Sequence, residues 1–351
     1  METMKSLTEK VFSTPSRIAL PVLTFPGGRL TGDSVRTMVH RPASQIRAQL
    51  ALRDRFRTVA LLSAMDLSAE AEEFGAAVQF AEDEIPTVTG RLVTDIAGVE
   101  QLQVPPVGTK RTRVYLETIE GLARERGDGI VLAGLIGPFS LAGRLFGVSE
   151  ALLATAMEPE AITLLLDKTT RFLVAYARAL KDAGADGLIM AEPTAGLISP
   201  AAMAEFSNPY IKRIIDAVDD QHFQLILHNC GARIGHLAAK RESGASALHF
   251  GKPMDLPAAL KEVPPDLLLC GNLDPAGVFV NSTPAEVASL TEQLLAATAG
   301  FRNFVISSGC DIPAHAPMAN IEAFFSTVAR YHHLPGGFHE NDTRSPYSGS
   351  A

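Results

Sequence analysis

The chain has 351 residues, of which 46% are hydrophobic and 20% charged, and its formal net charge is −8. This composition is typical of a folded globular protein and excludes a disordered or fibrous chain. Acidic and basic residues are interspersed and form no basic stripe, so nucleic acid is not an expected partner. The first seventeen residues lack the apolar core of a signal peptide, so we expect a cytoplasmic protein.

Eight apolar segments have the length of buried β-strands. They span 20–25, 58–65, 129–136, 186–191, 223–228, 246–250, 266–270 and 302–307. From the third segment onward, amphipathic helical patterns separate them. Repeated pairs of a buried strand and a helix predict a single-domain (β/α)8 TIM barrel over residues 1–335, with an N-terminal extension. An open doubly wound sheet is the alternative, but no Gly-x-Gly-x-x-Gly motif follows the first segment.

Two segments depart from the repeated pattern. Residues 86–128 are too long for a bare loop, and they predict an insertion between the second and third strands with a helix over 112–126. Residues 336–351 are polar and rich in turn-forming residues, which predicts a flexible C-terminal tail.

The apolar run 130–148 has the length of a membrane span. However, Gly137 and Pro138 interrupt it and Arg144 places a charge in its second half. We therefore predict a buried strand that leads into a helix, and no membrane association.

The candidate catalytic groups lie where the predicted strands end, because TIM barrels carry their active sites at that face. His228 and Cys230 follow the fifth strand and share one side of an extended segment, while Cys310 follows the eighth. One imidazole and two thiolates form a catalytic zinc set with an open fourth position. The alternative is a histidine bonded to backbone and two thiols that pack as small hydrophobes. Cys270 ends an apolar strand and is expected in the core.

The sequence resembles the uroporphyrinogen decarboxylase superfamily from about residue 20 to 331. Within it, the resemblance is to the zinc-dependent methylcobamide:coenzyme M methyltransferases. The similar stretches are MDLSAEAEEFGAAVQFAEDEIPTV (65–88), GLIGPFSLAGRLFG (134–147), LILHNCG (225–231), CGNLDP (270–275) and FVISSGCDIPAHAPMANIEAF (304–324). The resemblance also implies a TIM barrel.

The decarboxylases of the superfamily use no metal and bind their substrate's carboxylates with arginines after the first strand. Arg29 matches one of these arginines, but Phe25 stands where another is expected. Arg144 replaces a substrate-binding tyrosine, and Cys310 replaces a histidine. Asp66 does match the decarboxylase aspartate, for which a catalytic role and a loop-capping role both remain open.

The methyltransferase branch is marked by a His-x-Cys pair and a distant cysteine that bind zinc. His228, Cys230 and Cys310 match these ligands. The resemblance implies transfer of a methyl group from a methyl-corrinoid, free or carried by a corrinoid protein, to a thiol such as coenzyme M. Metal coordination deprotonates a thiol whose free pKa is about 8.5, which makes it a nucleophile. Arg29 and Lys252 are candidates to bind an anionic group of that thiol.

Four further polar residues at strand ends have open roles. Glu192 and Asp311 are candidates to occupy the fourth zinc position or to orient a ligand, and the alternative is that each caps the next helix or bonds to backbone. Asn272 and Asp274 belong to a superfamily motif and are candidates for cofactor binding, although a turn-forming role is the alternative.

Three rival functions remain. A cofactor-free decarboxylase predicts an enzyme without zinc that tolerates Cys310→Ala. A metal-storage or corrinoid-handling subunit predicts bound metal without turnover. The demethylases that move methyl groups onto cobalt place zinc differently, and the His-x-Cys pair argues against them.

Overall fold

Seven parallel strands form one curled sheet in the computed structural model, which describes residues 6–218, 220 and 222–331. Two further strands, β2 and β3, lie outside this sheet. In chain order the strands of the described residues are β1 (Ala60–Leu62), β2 (Ala77–Gln79), β3 (Thr87–Thr89), β4 (Ile130–Ile136), β5 (Gly187–Ala191), β6 (Gln224–Asn229), β7 (Ala247–Phe250), β8 (Leu268–Leu273) and β9 (Phe304–Ser308). The order in the sheet is β1-β4-β5-β6-β7-β8-β9, and every neighbouring pair is parallel. Strands β2 and β3 form a separate antiparallel pair.

Helices follow most strands and cover the outer face of the sheet. They are α1 (Leu7–Ser13), α2 (Gly28–Thr31), α3 (Val35–His40), α4 (Pro42–Phe56), α5 (Ala69–Phe74), α6 (Ile96–Gln101), α7 (Thr112–Glu125), α8 (Pro138–Phe146), α9 (Val148–Met157), α10 (Pro159–Asp182), α11 (Pro200–Phe206), α12 (Asn208–Val218), α13 (Leu237–Arg241), α14 (Leu256–Glu262), α15 (Pro284–Ala297) and α16 (Met318–Arg330). This α/β arrangement agrees with the predicted alternation of strands and helices.

Local sequence explains where several of these helices begin. The side chains of Ser199, Asp255 and Thr283 accept hydrogen bonds from backbone N–H groups in the first turns of α11, α14 and α15. Each is followed by proline or has proline within the first two helical positions, where the missing N–H leaves no bond unmade. These caps therefore define the residue at which each of the three helices begins.

The predicted first strand, 20–25, is not a regular strand, so the prediction of eight equivalent strands is wrong in its first member. Ala19 forms a single parallel bridge with Ile306 of β9, and Phe25–Gly27 is a short 3-10 helix. Pro21 explains part of the difference, because proline has no N–H to donate to a strand ladder.

Side chains replace the missing ladder bonds of this segment. The N–H of Val22 donates to Oγ of Ser308 at 3.0 Å. On the other side, Gln49 donates to the carbonyl of Leu23 at 3.0 Å and accepts from the N–H of Leu62 at 2.9 Å. The segment therefore bonds directly to the β9 edge of the sheet and is joined to the β1 edge through the side chain of Gln49.

The chain between β1 and β4 contains the predicted helix. The helix expected over 112–126 is α7 (Thr112–Glu125), and it packs against α4. The treatment of residues 86–128 as an insertion within one domain stays a prediction. The tail predicted over 336–351 lies outside the described residues.

The apolar run 130–148 is strand β4 followed by helix α8, as predicted. Every residue of β4 is buried, which explains why the strand is apolar throughout. Among the described residues, no helix has the length and the apolar character that crossing a membrane requires.

Glu70 in α5 gives stability a defined pH dependence. Its Oε1 accepts a hydrogen bond from the N–H of Ile136 at 2.9 Å, and burial raises the pKa of its carboxyl to about 7. The unfolded chain loses this proton near its ordinary pKa of 4.5, while the folded protein keeps it to about pH 7. Stability should therefore fall as pH rises through this window, by about 3 kcal/mol.

The matched variant is Glu70→Gln, which keeps the acceptor for Ile136 and cannot ionise. Urea unfolding at pH 5 and pH 7.5 should give a smaller loss of unfolding free energy in the variant than in the wild type. Equal losses in the two proteins would contradict the assignment of the pH effect to Glu70.

Candidate metal centre

The three predicted metal ligands meet at the C-terminal end of the sheet. His228 lies in β6, Cys230 follows that strand directly, and Cys310 lies two residues beyond the end of β9. Their ligand atoms all lie within 4.8 Å of one another. His228 is only 3% exposed, while both cysteines are partly exposed. The group therefore has a buried side and a side that faces solvent.

Two glycines allow the cysteines to approach each other. A Cβ atom on Gly251, at the end of β7, would lie 2.3 Å from the carbonyl oxygen of Cys230. A Cβ on Gly309 would lie 3.0 Å from the Cα of Gly251. Because both positions lack side chains, the backbone before Cys310 lies close to the loop that carries Cys230.

The two cysteines differ in protonation in the absence of a metal. Hydrogen bonds from Cys310 and from His228 lower the pKa of the Cys230 thiol to about 4. The bond to Cys230, together with burial, raises the pKa of Cys310 well above its usual value. The pair therefore shares one proton, which a bound cation would displace. Imidazole and thiolate donors at this spacing fit zinc.

A second histidine determines which nitrogen of His228 is available. Nδ1 of His228 lies 2.8 Å from Nδ1 of His249 in β7, and the two rings meet edge to face. This bond leaves Nε2 of His228 for the metal group. The sequence analysis did not identify His249, although its position near the end of the neighbouring strand was a signal for it.

The two acidic candidates lie near the ligands but outside the ligand group. Asp311 accepts a hydrogen bond from Oγ1 of Thr24 at 2.6 Å, and burial raises its pKa to about 7. Glu192 accepts from the N–H of Ser140 at 2.8 Å, in the first turn of α8, and burial raises its pKa to about 7. Glu192 therefore bonds to backbone in the first turn of α8, which favours its structural alternative.

Asn272, Asp274 and Lys252 have structural partners. The Asn272 amide donates to two backbone carbonyls of the loop after β7, at 3.1 and 2.7 Å. Asp274 accepts from two backbone N–H groups of the following turn, at 3.2 and 3.0 Å. Lys252 donates to Asp274 at 2.8 Å. These contacts favour the turn-forming alternative for the motif.

Arg29 lies in a cleft beside the loop that follows β9. Its guanidinium donates to the carbonyl oxygens of His315 and Ala316, each at 2.9 Å. The cleft has a volume of about 310 Å³ and is lined by Arg29, Phe25, Asp33 and His315 among others. Phe25 itself is only 1% exposed, so its ring acts mainly as packing.

Asp66 does not join the metal ligands. Its Oδ1 accepts from the N–H and the Oγ of Ser68 at 3.0 and 2.6 Å. Its Oδ2 accepts from the hydroxyl of Tyr115 at 2.8 Å and from the guanidinium of Arg111. With both oxygens bonded in this way, Asp66 links the end of β1 to α7, which favours its loop-capping alternative.

Comparisons with known proteins identify relatives of this chain. The family model for uroporphyrinogen decarboxylase (URO-D) matches residues 9–331. A methylcobamide:CoM methyltransferase of Methanosarcina acetivorans is 30% identical over 271 residues, which cover 76% of this chain and 78% of that protein. A uroporphyrinogen decarboxylase of Ectopseudomonas mendocina is 29% identical over 262 residues, 71% of each protein.

A solved structure, described as a methyltransferase from Methanosarcina mazei, has the same fold. Its TM-score is 0.83 at 20% identity, and the match covers 93% of this chain and 99% of that chain. The family match spans the whole parallel sheet and all three residues of the candidate metal centre. The chain therefore belongs to the uroporphyrinogen decarboxylase family. Methylcobamide:CoM methyltransferases are among the relatives of this chain.

Proposed function

We propose that the protein is a zinc-dependent methyltransferase that moves a methyl group from a methyl-corrinoid to a thiol. The observation that carries the proposal is the group of His228, Cys230 and Cys310, whose ligand atoms lie within 4.8 Å of one another. This donor set has one imidazole and two thiolates, and it leaves a fourth position for substrate. The names of the methyltransferase relatives support the reaction class.

The residues of the chain have defined tasks in this reaction. Cys230 and Cys310 would hold the metal as anionic ligands, and the buried His228 would supply the neutral one. Zinc, when bound, would keep the substrate's sulfur as a thiolate, which is the nucleophilic form. Methyl transfer forms a carbon–sulfur bond and breaks the cobalt–carbon bond, and the electron pair of that bond stays on cobalt.

We propose the chemical class of the methyl donor and of the methyl acceptor. The donor is a methyl-corrinoid, either free or presented by a corrinoid protein at the C-terminal face of the sheet. The acceptor is a small thiol such as coenzyme M. We also propose that segment 18–23 takes the place of the eighth strand of a TIM barrel, because it bonds to the β9 edge of the sheet and is joined to the β1 edge through Gln49.

The decisive measurement combines metal content with turnover. The purified protein should contain about one zinc per chain and should demethylate methylcobalamin only when a thiol is present, which absorbance spectroscopy follows. A cofactor-free decarboxylase is the alternative function, and it predicts release of carbon dioxide from uroporphyrinogen without zinc. A zinc-free protein with that activity would refute the proposal.

The cleft beside Arg29 suggests where an anionic thiol would place its charged end. Arg29→Ala should raise KM for coenzyme M about tenfold, because a charge-assisted hydrogen bond at a partly exposed site is worth about 1.5 kcal/mol. KM for 2-mercaptoethanol, which has no anionic group, should change less than about threefold. Lys252→Ala is the control, since Lys252 is paired with Asp274. An equal change for both thiols in Arg29→Ala would contradict this role.

A further inference from the structure

Three polar side chains form a continuous chain of hydrogen bonds inside the curled sheet, behind the metal group. Nδ1 of His228 lies 2.8 Å from Nδ1 of His249. Nε2 of His249 lies 2.8 Å from Oγ of Ser307 in β9. Oγ of Ser307 donates to the carbonyl of Leu20 at 2.6 Å. We call His228, His249 and Ser307 the histidine relay; each of the three is at most 3% exposed.

The strand register aims these side chains into the interior. His228 is aligned with Ala191 of β5 and with His249 of β7. His249 is aligned in turn with Cys270 of β8. Ala191 and Cys270 both belong to the apolar cluster inside the sheet, and aligned residues of parallel strands point to the same face. The relay is therefore enclosed by apolar side chains.

The direction of each proton follows from the acceptor at the far end. A backbone carbonyl can only accept, so the single hydroxyl proton of Ser307 lies toward Leu20. Ser307 must then accept from the Nε2–H of His249. His249 is only 1% exposed, and its hydrogen-bond partners among the described residues include no carboxylate that would balance a positive charge, so its ring is neutral. A neutral imidazole has one N–H, which leaves Nδ1 of His249 as an acceptor.

The acceptor on His249 fixes the tautomer of His228. Because Nδ1 of His249 carries a lone pair, Nδ1 of His228 must carry the proton that joins them. Nε2 is then the only nitrogen of His228 that can present a lone pair to a metal, and a metal that binds there displaces the proton that Nε2 donates to Cys230. With the protons reversed, Nε2 of His228 would carry hydrogen and would not be a ligand.

We propose that His249, supported by Ser307, is a positioning residue that holds His228 in its metal-binding tautomer and thereby raises the affinity of the site for zinc. This inference rests on the proposed metal centre. It goes beyond it, because it assigns a role to two residues that do not touch the metal. Outer partners of this kind typically change metal affinity by about 10–100-fold.

The first test measures zinc affinity by competition with a chromophoric chelator, in the full-length protein. His249→Phe removes the acceptor and should weaken zinc binding about 10–100-fold. His249→Asn returns an acceptor oxygen and should recover most of the affinity. Cys270→Ala is the matched control, because Cys270 is the register neighbour of His249 and belongs to no relay. It should bind zinc as the wild type does.

The second test does not depend on metal. Nitrogen NMR of the histidine rings should find His249 as the neutral Nε2–H tautomer in both metal-free and zinc-loaded protein. Ser307→Ala keeps both rings and should shift His249 away from this single tautomer. It therefore tests the relay even if His249→Phe fails to fold.

The outcomes separate the two proposals. If the wild-type protein binds zinc and His249→Phe binds it equally tightly, the role of the relay is refuted and the proposed metal centre is not. A proton on Nδ1 of His249 would overturn the relay as well. Wild-type protein that binds no more zinc than Cys310→Ala would instead overturn the metal centre, and with it the role of the relay in metal affinity.

Discussion

Replacing Cys310 with alanine is expected to release zinc and to lower thiol-dependent demethylation of methylcobalamin by at least about 100-fold. The variant leaves two of the three ligand atoms that lie within 4.8 Å of one another. A metal that acts as a Lewis acid contributes several kcal/mol to the barrier, and each 1.4 kcal/mol corresponds to a factor of ten. Metal content after dialysis and the initial rate of demethylation measure the two effects together.

Cys270→Ala is the control for this experiment. Cys270 is fully buried inside the sheet, and burial raises the pKa of its thiol to about 12. It lies outside the ligand group, so zinc content and kcat/KM should stay at the wild-type values. If Cys310→Ala keeps its zinc and its activity, the metal centre is assigned to the wrong residues.

Replacing Arg111 with alanine is expected to lower the free energy of unfolding by about 3–5 kcal/mol. The guanidinium is 6% exposed and the Asp66 side chain 0%, so the variant leaves an uncompensated buried carboxylate. Burial alone would lower the pKa of Arg111, but Asp66, Tyr115 and Glu72 raise it overall. Denaturant unfolding at neutral pH measures the change.

Two companion variants make this result specific. Arg113→Ala removes an exposed pair with Glu117 on the same helix, and it should change the unfolding free energy by less than about 0.5 kcal/mol. The double variant Asp66→Asn with Arg111→Met removes both buried charges and should be more stable than Arg111→Ala alone. A loss in Arg111→Ala no larger than in Arg113→Ala would show that the buried pair does not hold α7 in place.

Local rules predicted most of the fold. Seven of the eight predicted strands are present, because four to eight consecutive buried residues with helices between them leave few alternatives to a parallel sheet. The segment 20–25 failed for a reason visible in the sequence, since Pro21 cannot donate to a ladder. Its replacement bonds to Ser308 and Gln49 were not predictable, because they depend on how distant side chains reach the segment.

The metal ligands were predicted in part from local geometry. The spacing of His228 and Cys230 places both on one side of an extended segment, whatever the rest of the chain does. Cys310 was added because it follows the eighth predicted strand and so faces the same end of the predicted barrel, and the resemblance to the family agreed with it. The close approach of Cys310 to Cys230 depends on Gly251 and Gly309, whose missing side chains matter only once the strand ends are packed together.

The roles of the buried polar groups were decided by tertiary structure alone. Asp66 bonds to Arg111, Glu192 to Ser140, and His249 to Ser307. Each buried polar group must find a partner, but the sequence does not indicate which of many distant groups comes within 3 Å. The sequence by itself therefore determined the order of strands and helices and one face of the metal site, since these follow from contacts between near neighbours in the chain. The complete ligand group, the histidine relay and the pairing of the acids follow from packing between strands and helices that are far apart in sequence.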